Sequence, residues 1–194
     1  MISKLPLHAV TLLVMLLATG QLAWAADDLL PGKQAALLLR VLPYDHNFSQ
    51  RAQQAITVAV VHREGNLISE TYSLDIIAAL RDVARAAQLN DLPVKVVSIG
   101  YSNSEAFAAA LAKQKLSAIY VCPGLEDALD TLSDLTRKNK ILTFSGREAE
   151  VRDRLSLGLL RRGSRPALIV NLRAATAEGA DLNPDLLSLS EVLR

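Results

Sequence analysis

Ala167-Leu168-Ile169-Val170-Asn171-Leu172 is the stretch on which the fold turns. Consecutive apolar residues with β-branched members predict a strand covered on both faces. The tail beyond Leu172 suits a cover for it. A short alanine helix (Ala174, Ala175, Ala177) leads to Gly179, and a second apolar helical stretch is expected over Leu182–Val192.

Reading back toward the start, Leu155–Leu160 joins Leu168–Leu172 through the basic turn Arg161–Arg165 and predicts a strand pair. Four more strands are expected, at Ile56–Val61, Pro93–Ile99, Ser117–Val121 and Ile141–Phe144. Between them fall helical patterns. Leu125–Lys138 puts Leu125, Leu129, Leu132 and Leu135 on one stripe, with Glu126 and Asp127 at its start and Arg137 and Lys138 at its end, matching the helix dipole. Glu105–Lys113 is alanine-rich, and Leu74–Leu89 follows Ser73 as its expected N-cap. An opening helix over Lys33–Leu42 stops at Pro43. This alternation implies one α/β domain over residues 26–194, with a mainly parallel, mixed sheet flanked by helices on both faces and a C-terminal strand pair and helices.

Residues 1–25 read as a secretory signal peptide. A basic start at Lys4 precedes the apolar run Ala9–Ala18, and Ala23-Trp24-Ala25 is a small-x-small cleavage site. Cleavage there leaves 169 of the 194 residues and takes the formal net charge from +1 to 0. A neutral domain without a basic cluster is a poor match to nucleic acid or an anionic membrane surface. The expected location of the mature chain is an exported compartment. Cys122 is the only cysteine, so the core rather than a disulfide framework holds the fold; its thiol is either buried in a strand end or pairs between chains.

Catalytic signatures are scarce. The chain has no phosphate-binding glycine loop and no nucleophile elbow, and His46 and His62 lack metal-ligand partners at useful spacing. No catalytic, metal or cofactor site is therefore expected. Two groups of residues remain as binding candidates. The carboxyl ends of the strands gather His62, Ser102, Asn103, Cys122, Ser145 and Arg147, a set suited to a small polar or anionic ligand. The loop Tyr44-Asp45-His46-Asn47-Phe48 offers aromatic and polar groups for a partner, or else tucks its aromatics into the core.

Val170-Asn171-Leu172-Arg173-Ala174-Ala175, with Gly179, Leu182, Leu186-Leu187, Leu189 and Val192, resembles the C-terminal signature of the YfiR family of exported proteins. Lys33, Ala35, Ala36, Leu38 and Leu39 together resemble the family's opening helix, and Ile141-Leu142-Thr143 its strand before the final hairpin. The resemblance implies a periplasmic α/β domain that represses a membrane-bound diguanylate cyclase by protein contact, lowering cyclic-di-GMP signalling. It makes an inner-membrane signalling protein, a diguanylate cyclase or a sensor kinase, the expected partner, with a homodimer as a further possibility. Tyr44, Asp45, His46 and Phe48 are the candidate contact residues. The alternative expectation is a small-solute-binding module using the strand-end pocket.

Overall fold

The computed structural model describes residues 29–86 and 92–194; the expected signal peptide and the last residues of the expected Leu74–Leu89 helix lie outside them. The chain enters through α1 (Pro31–Val41), a 3-10 turn (Leu42–Tyr44) and α2 (Phe48–Ala52). It then alternates β1 (Ile56–Arg63), α3 (Leu67–Ala86), β2 (Val94–Tyr101), α4 (Ser104–Ala112) and β3 (Ala118–Val121). After α5 (Leu129–Asn139), β4 (Leu142–Ser145) and α6 (Glu148–Asp153) comes the hairpin β5 (Leu157–Arg162) and β6 (Arg165–Asn171). The tail forms α7 (Leu172–Ala177), α8 (Pro184–Ser188) and β7 (Glu191–Leu193).

The seven strands lie in the order β2-β1-β3-β4-β5-β6-β7. β1 to β5 run parallel, β6 is antiparallel to β5, and β7 is parallel to β6. Register is set by apolar matching: Val58 lies between Val96 and Ala118, and Leu159 faces Leu168. The order reverses between β1 and β3, the switch point where an open α/β sheet leaves a crevice at its strand ends. Strand pleating divides the core in two. Ile56, Val58 and Val60 meet Leu38, Leu42, Ile76 and Leu80 on one face, while Ala59 and Val61 meet Phe107, Leu125 and Leu132 on the other. Each such fully buried aliphatic contributes about 1.5–3 kcal/mol.

Three expectations change. The helix after β1 starts at Leu67, not beyond Ser73. Its cap is Asn66, whose Oδ1 accepts from Ser69 N at 3.0 Å, and Ser73 lies buried within the helix, donating to Glu70 O at 2.7 Å. The helix expected from Leu125 begins as a 3-10 turn over Glu126–Ala128 before α5. The stretch Leu182–Val192 is not one helix. Pro184 opens the five-residue α8, and the chain then extends as β7, with Val192 beside Val170, covering an edge β6 would otherwise expose. Arg162 fixes that edge, its Nε and Nη2 each donating at 2.9 Å to the Glu191 carboxylate.

Candidate functional site

The chain's own side chains meet at the switch point. Arg63, at the end of β1, donates from Nε to Gly124 O at 3.1 Å, pairs with Asp127 and lies over the Tyr101 ring, 5.1 Å from its centroid. The loops after β1 and β3 are thereby tied together.

Beside them lies a buried polar knot that joins three elements. Gln34 of α1 donates from Nε2 to Leu29 O at 2.6 Å and to Tyr72 OH at 2.9 Å. The Tyr72 hydroxyl meets that of Tyr120 on β3 at 3.0 Å, and Tyr120 donates back to Gln34 Oε1. Burial pushes the Tyr120 phenol well up, with Tyr72 adding to it. Gly146 closes the knot: a Cβ there would stand 2.7 Å from Gln34 Oε1 and 2.8 Å from Tyr120 OH, so only glycine leaves the hydroxyls room.

Next to the knot sits Glu150, 2% exposed. One of its oxygens accepts from Ser145 Oγ; the other has no hydrogen-bond partner, and the Arg147 Nε is 3.9 Å away. Desolvation raises this carboxyl to about 7, against the hydrogen bond from Ser145. Burial, with Glu150 nearby, pushes the Cys122 thiol far up, so it stays protonated and is no nucleophile. Among the described residues no group of three or more metal-ligating side chains forms.

The residues expected at the strand ends divide into two sets. Cys122 and Ser145 are fully buried, and Arg147 is exposed at the start of α6. His62 is half-buried, with Ser98 Oγ 3.4 Å from its Nδ1. Ser102 is exposed, and Asn103 caps α4 by accepting from Ala106 N at 2.9 Å. One cleft, of ≈ 470 Å³, lies instead at the amino ends of β3 and β4, lined by Arg51, Leu116 and Ile141 among others.

The loop Tyr44–Phe48 is clamped to the tail. Phe48 is buried in the core, and Asp45 accepts from Arg51 Nε at 2.7 Å, Asn47 N at 3.0 Å and Asp181 N at 2.9 Å. His46 N donates to Asp181 O and Asn183 N to Tyr44 O, at 2.9 and 2.8 Å. Arg51 also reaches the carbonyls of Lys140 and Glu178. Tyr44 and His46 remain on the surface.

A surface group that sequence reasoning missed lies on α3. Its buried face carries Ser69, Tyr72, Ser73, Ile76 and Leu80. Directly opposite, at i, i+4, i+7 and i+11, stand Leu67, Thr71, Leu74 and Ala78, all exposed. Leu67 is 77% and Leu74 66% exposed, with Ile68 at 55% on the flank. These residues form an apolar group on a helix face that the described residues leave uncovered.

These features define a doubly wound α/β domain with a buried polar knot beside its strand ends and exposed leucines on its first crossover helix. The chain belongs to the YfiR/HmsC-like family, whose model matches residues 33–191. That family is regulatory rather than catalytic, which supports a periplasmic regulator in broad terms. No curated protein matches the chain. Among solved structures it is similar to a ligand-free, open substrate-binding protein with adhesive properties from Clostridium difficile, at 14% identity and TM-score 0.56, covering 76% of this chain and 57% of that one. It is also similar to an ABC domain in complex with L-Trp from Streptococcus pneumonia, at 12% identity and TM-score 0.60, covering 84% and 62%. A conserved domain protein from Vibrio cholerae matches at 14% identity and TM-score 0.56, covering 86% and 61%. The chain thus spans less than two thirds of each of these proteins, and the likeness is one of fold. No helix among the described residues is long and apolar enough to cross a membrane.

Proposed function

We propose that this protein is an exported, non-enzymatic periplasmic regulator that works by protein–protein contact, repressing a membrane-bound diguanylate cyclase and so lowering cyclic-di-GMP. The observation that carries this reading is the outward apolar face of α3, Leu67 and Leu74 with Ile68, in a chain of the YfiR/HmsC-like family. Leucines this exposed gain little burial within the fold; burial against a partner gives them a use. Tyr44 and His46, exposed on the clamped loop, are a second, separate candidate contact. The non-catalytic part of the reading is supported by the state of the polar residues, since the Cys122 thiol and the Glu150 carboxyl are both buried.

The test is a measurement of cellular cyclic-di-GMP after deletion of the gene and after its return. The reading expects a rise on deletion and a return to the basal level on complementation. An unchanged level, with the protein present in the periplasmic fraction, contradicts the cyclase assignment.

A further inference from the structure

A second cleft, of ≈ 440 Å³, lies where α5, α6 and the start of α7 converge. Its lining includes Arg137 near the end of α5, Arg152 and Arg154 around the end of α6, Arg173 in α7 and Arg194, with Asp153 the one lining acid. Carboxylates hold some of these arginines from outside the cleft. Glu148 takes Arg152 at 2.6 Å, Asp130 lies 2.5 Å from Arg154, and Asp134 is 3.9 Å from Arg137. Arg137 nevertheless keeps a buried Nε–H without an acceptor. Arg173 and Arg194 are exposed, and neither forms an ion pair among the described residues.

Like charges brought together at one cleft repel unless an anion joins them. Guanidinium forks donate in pairs to the oxygens of phosphoryl and carboxylate groups, and each keeps its charge at any physiological pH. The volume is in the range of small-molecule sites and exceeds what one inorganic phosphate fills. We infer that this cleft binds a small, multiply charged oxyanion, an organic phosphate or a polycarboxylate. It lies at the amino ends of β4 and β5, whereas Leu67 follows the carboxyl end of β1. A ligand here leaves the α3 face free, and the inference stands whether or not that face docks a cyclase.

Isothermal titration of the full chain with pyrophosphate and, separately, with citrate tests it, at ionic strength held constant with sodium chloride. Saturable binding is expected for at least one probe, weakened at least about 10-fold in the Arg173→Gln/Arg194→Gln double variant. These side chains have no ion-pair partner, so the variant's melting temperature without ligand should match wild type. Arg173→Lys should retain part of the binding, and Arg85→Gln, on α3, should bind as wild type does. Tighter pyrophosphate binding assigns a phosphoryl ligand; tighter citrate binding assigns a polycarboxylate. Absence of saturable binding with both probes, or equal binding by the double variant, overturns the site.

Discussion

The Tyr44–Phe48 loop and the outer face of α3 both put apolar side chains where the chain turns toward solvent, but the fold treats them in opposite ways. In the loop, Phe48 enters the core and Asp45 is held by the buried Arg51 and by backbone N–H groups of its own turn and of the tail. On α3, Leu67 and Leu74 are exposed on the side opposite Ile76 and Leu80. An aromatic-rich loop can thus be a joint of the fold, while ordinary leucines in a helix can stay in solvent. What separates them is burial: Phe48 and Asp45 are enclosed, whereas Leu67 and Leu74 are left in solvent.

The largest effect should come from breaking the joint. Asp45→Ala strands a buried guanidinium and should cost about 3–5 kcal/mol, and Phe48→Ala about as much through the cavity it leaves. Denaturant unfolding measures both. Either variant unfolding with wild-type stability would mean that the loop is not part of the core.

A smaller effect concerns protons. Glu150 and Glu178 both sit near 7 in the folded state through desolvation, against 4.5 as the ordinary value. Glu178 differs from Glu150 in being fully satisfied: it accepts from Thr136 Oγ1, from Thr143 N and Oγ1, and from Ser156 Oγ. The folded state holds both protons to higher pH than the unfolded chain does. Stability should therefore fall as pH rises from about 4.5 to about 7, by at most about 1.4 kcal/mol per pH unit for each group. Thermal melts across that window check the sign, and Glu150→Gln should flatten the slope. A slope of opposite sign would show that these carboxyls are not held up.

The smallest effects on stability belong to the surface. Leu67→Ser with Leu74→Ser, and separately Tyr44→Ala, should each leave stability within about 0.5 kcal/mol of wild type. A melting temperature several degrees lower in the leucine variant would mean that these side chains serve the fold after all.

The same two regions show what was legible in the sequence. Ile56–Val61 and Ala167–Asn171 declared themselves because strands buried on both faces leave unbroken apolar runs. The start of α3 did not, because Leu67 and Ile68 face outward while the buried position beside them is Ser69, so no apolar stripe marks the first turns and the helix is expected only from Leu74. The knot of Gln34, Tyr72 and Tyr120 was hidden by distance along the chain, 38 to 86 residues between partners. One signal was present: Gln34 sits beside Ala35 and in line with Leu38, a polar side chain on an apolar stripe. β7 has three residues, too few to show any period.

Regulation by contact through α3 is tested most directly by affinity capture of the tagged protein from solubilised membranes, wild type beside the Leu67→Ser/Leu74→Ser variant, with bound proteins identified by mass spectrometry. Wild type is expected to enrich a membrane-bound diguanylate cyclase, and the equally stable variant to lose it. Equal enrichment of that cyclase by both proteins would contradict the assignment of the α3 face as the contact surface.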